Sequence, residues 1–520
     1  MKIEKTDILI IGAGAAGSAS AWNLSKLNLK ITCLEQGPYL QKKEYSFNNS
    51  NREITKFKKF NINPNEREFF SDYPINCDNS PISIANYNAV GGSTLIYSGH
   101  YPRFHPSDFN TKKIDNVSSD WLFNYDDLEK YYNLNDKMVG VSGLEGDPAY
   151  PKISNLLEPL EIGYSGNLIA KTLNKLGWHW WPSYSAVKKS KKYKKGIRPT
   201  AVEIYLNKAI KNGVVVKPNC RVLKIKMSKK NIATGVIYAD KNNNKIFLKS
   251  SIILLAASGI GTPRILLNSI NKKFPKGLAN SSGQLGKNLM LHPLGYVEGR
   301  FSKFLASNEG PEGCAIYSHQ FYKTKKGRGF KRGYTIQLLK SPGPIETFKF
   351  LKKFNKIVFG KLFFNKLFKS YGRTIPLAII CEDIANKKNS VNLDYKNKDK
   401  SGMPGIKVNY QISKNTKKML SHGINKCKKL LKTAGAKNIL SFGPVTNAGW
   451  HLVGTAKMGK SKNNSVVNKF GKCHDVDNLF IVDSSIFPSS SGVNIASTVQ
   501  AVSLMISDHI KKNINNFINK

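Results

Sequence analysis

Residues 7–37, DILIIGAGAAGSASAWNLSKLNLKITCLEQG, constrain the fold more than any other stretch. Ile8, Leu9, Ile10 and Ile11 form the short continuous apolar run that a parallel strand buried on both faces requires, and Gly12, Gly14 and Gly17 follow at once. The glycines serve three different ends. Gly12 permits the tight turn, Gly14 lets backbone approach a diphosphate, and Gly17 removes the side chain where helix packs on strand. With Ala13, Ala15 and Ala16 between them, they place free amides and the helix dipole against the anion. Residues 30–34 make a second strand, and Glu35 ends it, eighteen residues after Gly17 and just before Gln36. A carboxylate there accepts hydrogen bonds from both ribose hydroxyls and repels a 2′-phosphate. The stretch predicts a dinucleotide site at the head of an α/β fold and leaves NAD and FAD both open.

The length of 520 residues allows two or more cores. No run approaches the ~18 apolar residues of a membrane span. The N-terminus enters the first strand without an apolar signal segment, so cytoplasmic residence is the expectation, with membrane association or co-export with a partner subunit as alternatives. Seven cysteines, an odd number without CxxC spacing, agree with it, and no metal-binding pattern is visible. The formal charge of +47 invites a nucleic-acid reading, but only 10 of the 81 basic residues are Arg, the residue best suited to bidentate phosphate and base recognition. The lysines are scattered among many asparagines, as on ordinary solvated faces, and no nucleic-acid partner is expected. Lys188 to Lys195 reads as an exposed loop. Residues 348–368 alternate Phe and Lys at helical spacing, which fits a peripheral membrane contact or a helix packed over a substrate sheet with its lysines outward.

Further along, residues 38–80 are polar and without period. Residues 88–109 hold the pair Gly91-Gly92 ahead of Ser93 and Thr94, a second place where backbone can pass close to a flat or anionic ligand. A helix is expected over 125–141 and another over 198–209; the tract 178–181, WHWW, reads as packing at a domain edge. Strands are expected at 214–216, 222–227, 235–240, 245–249 and 252–256, and Thr262-Pro263 reads as an N-cap and first helical position. Strand-like runs at 294–301, 333–338, 377–381, 390–395 and 406–412 suggest one mostly antiparallel sheet in a separate substrate domain. Ser413 then caps an amphipathic helix.

The C-terminal part holds the chemistry. His451 precedes a small-residue turn, residues 479–483 form a buried strand, and a serine-rich loop leads to Asn494 and a closing helix at 495–510. That geometry aims backbone N–H groups and a positive helix end at a ligand edge, which suits the negative charge of a reduced flavin. GAGAAG with Glu35, GGSTLIYSG, TPRILLNS, GKNLMLHP, WHLVGTAKMG and NLFIVDSSIFP with Asn494 occur in this order over nearly the whole chain. Together they resemble the glucose-methanol-choline (GMC) oxidoreductases.

The resemblance implies a glutathione-reductase-type, Rossmann-like FAD domain interleaved with an α+β substrate domain on a mostly antiparallel sheet. The expected boundaries are residues 1–110, 198–293 and 446–520 for the FAD domain, 111–197 for a substrate-domain or lid segment, and 294–445 for substrate binding. It implies His451 as the catalytic base and Asn494 as its partner: an imidazole takes the alcohol proton while hydride leaves, and an amide only orients. Gly91, Gly92, Ser93, Thr94, Ser98 and Gly99 would line the flavin or diphosphate, Val222 would meet the adenine through its backbone, and Asp483, Ser484 and Ile495 would complete the pocket. Three departures stand out: Ile96 where some members carry a histidine bonded covalently to FAD, hence a noncovalent cofactor; Tyr97 for a common asparagine; and Ile270 after Ser269. The remaining histidines, His100, His105, His179, His292, His319, His422, His474 and His509, read as structural or surface residues, and Tyr317 or Phe330 as candidates to face the flavin. The expected activity is FAD-dependent oxidation of a small alcohol or polyol, with a quinone, cytochrome or dye as acceptor and a small or cytochrome subunit as a possible partner. An O₂-using oxidase and a non-catalytic basic protein binding membrane or nucleic acid are the competing readings.

Overall fold

The computed structural model describes residues 1–46, 48, 52–56, 58–67, 69–348 and 360–518. Its central sheet runs β5 (Val215–Lys217), β2 (Ile31–Leu34), β1 (Lys2–Ile11), β8 (Lys245–Leu255), β7 (Ala233–Ala239), β6 (Arg221–Met227). β1 pairs in parallel with β2 on one side and β8 on the other, so Ile8 to Ile11 are buried on both faces, as their continuous apolar run requires. β8 is a single strand where the sequence suggested two. Its first half pairs antiparallel with β7, and its last three residues pair in parallel with β16 (Leu479–Ile481). The first seven residues of helix α1 (Ala15–Leu24) are small, which lets the closing helix α5 (Ala496–Lys512) approach until the Ser503 hydroxyl donates to the Ala16 carbonyl at 2.6 Å.

The second sheet is wholly antiparallel and lies in the order β15 (Asn438–Phe442), β9 (Leu294–Arg300), β12 (Thr374–Cys381), β11 (Tyr334–Leu339), β10 (Cys314–Ser318), β4 (Trp181–Pro182). The strand period divides its faces. Leu338, Leu377 and Val297 pack on the amphipathic helix α4 (Lys414–Thr433), capped by Ser413 as expected. Gln337, Leu339, Ala378, Ile380, Leu294 and Tyr296 point the other way, into a cavity. The α/β fold with a second, antiparallel sheet is thus as the sequence implied.

Three local expectations fail. β13 (Ser390–Lys398) and β14 (Pro404–Asn409) do not join the antiparallel sheet; they form a three-stranded sheet with β3 (Ile75–Asn79), parallel to β14, inside the stretch that showed no period. INCDN lacks alternation because only Ile75 is buried. Thr262 is no N-cap: helix α3 spans Ser258–Asn268, with Thr262 and Pro263 inside it. Pro263 has no N–H for the Gly259 carbonyl, and the Thr455 hydroxyl donates there instead at 2.7 Å. The expected 198–209 helix begins later, with a π-helical turn at Val202–Leu206 running into Asn207–Lys211. Helix α2 (Tyr125–Val139) is as expected.

Of the Phe/Lys stretch 348–368, residues 349–359 lie outside the described residues. A helix from Lys361 to Ser370 follows, with Phe368 73% exposed rather than packed over the sheet. Among the described residues no helix is long and apolar enough to cross a membrane.

Candidate active site

One cavity of 1690 Å³ runs from the glycine turn after β1 to the antiparallel sheet. Ordinary ligand pockets hold ~300–1,000 Å³, so this one has room for a dinucleotide and a substrate together.

Its nucleotide end is made of backbone. Gly12 has φ 104°, and a Cβ there would lie 2.5 Å from the Ala256 carbonyl oxygen. A Cβ on Gly17 would fall 1.8 Å from the Gly12 oxygen, so this glycine permits the contact of α1 with the turn. The Gly91-Gly92 turn is brought against it: Gly91 N–H donates to the Ala13 carbonyl at 2.9 Å, and a Cβ on Gly92 would come 2.9 Å from the Gly14 Cα. A diphosphate fits this cradle of two side-chain-free turns at the start of α1. Glu35 is buried, accepts from Ala13 N–H at 2.9 Å and Gly37 N–H at 3.0 Å, and borders the cavity; burial pushes its carboxyl up to about 7. Gln36 and Val222, the latter beside a β-bulge, line the same end.

Of the sequence-derived cofactor residues, Gly12, Gly14, Ala15, Ala16, Glu35, Gln36, Gly92, Ser93, Thr94, Ser98, Val222, Asp483, Ser484 and Ile495 line the cavity. Ala13, Gly17, Gly91 and Gly99 lie just behind it. Gly99, for example, accepts from Ala186 N–H at 2.7 Å. Asp483 acts as a tie: its carboxylate accepts from Ser485 N–H, Ser258 N–H and the Thr262 hydroxyl, fastening the end of β16 to α3. The start of α5, with Ile495 and Ala496, faces the cavity with its positive dipole end.

The catalytic end is made of side chains. Residues 449–453 are held on one side by a bridge between Ile84 and Gly449 and on the other by an antiparallel bridge between Met290 and Val453. Two residues on, that register sets His292 opposite His451, and their Nδ1 atoms lie 3.0 Å apart. On its other side, His451 Nε2 faces Asn494 Nδ2 at 3.4 Å, and Asn494 Oδ1 accepts from Gln337 Nε2 at 2.6 Å. Burial, reinforced by His292 and His100, holds His451 well below the ordinary imidazole range, so its ring stands neutral. His100 lines the cavity within hydrogen-bond reach of the Tyr317 hydroxyl, at 3.4 Å.

The sequence reads His292 and His100 as structural and does not single out Gln337. Nothing local marks them: Gln337 is one residue of a strand, and His292 meets His451 only through a bridge between segments far apart in the chain. Tyr317 and Phe330 do not line the cavity. Tyr317 lies beneath the His100 ring, and Phe330 packs beside His422 in the sheet core.

Comparison with known proteins bears on the fold and the family. The GMC oxidoreductase family pattern matches residues 6–294 with its N-terminal part and 385–503 with its C-terminal part. The 2-methyl-1,2-propanediol dehydrogenase of Mycolicibacterium austroafricanum is 34% identical, over 99% of this chain and 97% of that protein. The fructose dehydrogenase large subunit of Gluconobacter japonicus is 24% identical, over 97% of each. Among solved structures, a formate oxidase variant of Aspergillus oryzae made to follow FAD modification superposes with a TM-score of 0.70 at 13% identity, covering 99% of this chain and 100% of that one. Pyridoxine 4-oxidase from Mesorbium loti superposes with a TM-score of 0.64 at 18% identity, over 97% and 99%.

Proposed function

The chain belongs to the GMC oxidoreductases, and from that premise we propose that it is an FAD-dependent dehydrogenase that oxidises a small aliphatic alcohol or diol at a CH–OH carbon. The observation that carries the reading is the His451–Asn494 pair at 3.4 Å, placed in the same cavity as the glycine cradle. FAD, when bound, supplies the two-electron acceptor for the substrate hydride. The residues of the chain do the rest. The two glycine turns and α1 would hold the diphosphate, Glu35 would hold the ribose, and the start of α5 would meet the flavin ring. Ile96 offers no nucleophile, which supports a noncovalent cofactor.

At the substrate, His451 Nε2 takes the hydroxyl proton and Asn494 Nδ2 donates to the same oxygen, so that alkoxide character develops as the C–H bond weakens. Leu294, Leu339, Ala378, Ile380 and Val445 give this end an aliphatic wall, flanked by the rings of Tyr296, Phe442 and Trp450. Such a wall suits a short branched carbon skeleton, and the relative named for 2-methyl-1,2-propanediol points the same way. Of that diol's two hydroxyls, only the primary one sits on a carbon with hydrogen to lose. The dehydrogenase form, with a quinone, cytochrome or dye as acceptor, follows the two dehydrogenase relatives. The body that binds FAD is assigned to residues 1–110, 198–293 and 446–520, and the substrate-facing body to 294–445 with 111–197 beside it.

Purified protein is expected to be yellow, to release FAD on denaturation, and to bleach anaerobically with 2-methyl-1,2-propanediol or another short alcohol. His451→Ala should keep the flavin and reduce it ~10²–10⁴-fold more slowly. Reduction at the wild-type rate would remove His451 as base, and hydrogen peroxide formed in step with alcohol consumed would make the enzyme an oxidase.

A further inference from the structure

We propose that His292 and Gln337 are positioning residues that decide which nitrogen of His451 carries its proton, His292 by direct contact and Gln337 through the Asn494 amide. The inference rests on His451 being the base and concerns what makes it one.

A hydrogen bond holds one proton, which fixes the order along the row. Gln337 donates to Asn494 Oδ1 at 2.6 Å, so Asn494 presents its NH₂ group to His451. A donor facing Nε2 requires a lone pair there. The one proton of neutral His451 then sits on Nδ1 and is donated to His292 Nδ1 across 3.0 Å. His292 occupies the place where a catalytic histidine usually meets a carboxylate. Among the described residues, the titratable neighbours acting on His451 are the imidazoles of His292 and His100. Asp383, close to His292 in space, has its Oδ2 committed to Leu291 N–H at 3.1 Å and the Tyr410 hydroxyl at 2.6 Å.

The opposite order has its own anchor. Ser491 N–H points at His292 Nε2 from 3.4 Å; were that bond the stronger, the His292 proton would move to Nδ1 and the His451 proton to Nε2, disabling the base. The two ends of the row therefore compete, and the short Gln337–Asn494 bond selects the active order. His292 is also set deliberately. It is 1% exposed and holds φ 51°, a left-handed conformation that a non-glycine residue keeps only where its surroundings impose it.

The test uses the flavin-loaded protein with ¹⁵N-labelled histidine. The ¹⁵N spectrum of the oxidised wild type should show His451, identified by its loss in His451→Ala, protonated at Nδ1 and bare at Nε2; a proton on Nε2 would overturn the proposal without any variant. Gln337→Glu, measured at a pH where the new carboxyl is ionised, can only accept from Asn494, so it should turn the amide, bring the proton to Nε2, move the acid limb of the flavin-reduction rate up by at least ~1 pH unit, and leave KM nearly unchanged. An unchanged spectrum and limb in Gln337→Glu would refute the role of Gln337. His292→Leu should slow reduction about 10²-fold with flavin content retained. His292→Asn should recover most of the rate, because asparagine offers a carbonyl acceptor and tolerates the left-handed backbone. Equal rates for His292→Leu and the wild type would refute the role of His292. Loss of bleaching in His451→Ala, or its absence, reports separately on the base itself.

Discussion

At the end of the cavity assigned to the nucleotide the proposed function rests on backbone, while at the end assigned to catalysis it rests on side chains. Gly12, Gly17, Gly91 and Gly92 leave no room for a Cβ, and their neighbours contribute N–H groups that any residue would supply. His292, His451, Asn494 and Gln337 act by the identity of single atoms, and they come from four segments brought together by a β-bridge, a loop and a sheet strand. The difference teaches how each end fails. A backbone site fails by steric intrusion, and the cofactor and local fold are lost with it. A side-chain site fails by losing a proton or a hydrogen bond, and can do so with fold and cofactor intact.

The largest effect should come from intrusion at the first end. In Gly17→Val the new Cβ would lie 1.8 Å from the Gly12 carbonyl oxygen, a backbone atom that cannot step aside. The variant is expected to carry no flavin and to melt far below the wild type, by absorbance at 450 nm and thermal scan. A yellow Gly17→Val protein would break the distinction between the two ends, since the turn would then be deformable.

Glu35 sharpens the contrast, being the side chain at the backbone-built end on which the proposed ribose recognition rests. Its carboxyl is raised by burial to about 7 in the fold from 4.5. The folded state favours the protonated acid, so the contribution of Glu35 to the stability of the cofactor-free protein is fully present below pH ~4.5 and falls by ~3 kcal/mol as pH rises through 7. Glu35→Gln has no such loss. Its cofactor-free form should gain stability relative to the wild type as pH goes from 4 to 8, while its FAD affinity falls by the ~1.5–3 kcal/mol of a charged hydrogen bond. Parallel pH curves for the two proteins, in urea titrations, would show that Glu35 ionises freely.

The same contrast explains what the amino-acid sequence revealed. The glycine turn, the strand before it and the acid after it lie within 31 consecutive residues, so their joint purpose is legible in order. His451 and Asn494 became legible through the motifs around them. His292 and Gln337 did not, because the register of Met290 against Val453 and the rise of β11 toward the loop before α5 are tertiary facts. β3 was missed for a similar reason, since its pairing with β14, rather than any alternation of its own, makes it a strand. Thr262-Pro263 misled because a cap and an interior proline look alike until the Thr455 hydroxyl is seen replacing the missing N–H.

That hydroxyl gives the smallest and most discriminating prediction. Thr455 belongs to the segment that carries His451, and Gly259 belongs to α3, beside Ala257 and Ser258 at the cofactor wall. Thr455→Val keeps the shape and removes the donor, leaving a buried carbonyl without its substitute partner, at a cost of ~1–3 kcal/mol. In a chain of this length that corresponds to a melting shift of only a few degrees. If the two ends are built independently, the variant should melt slightly lower and bleach with alcohol at the wild-type rate. A rate reduced tenfold or more at full flavin content would instead show that the backbone-built end sets the position of His451, and that the two ends are one mechanical unit.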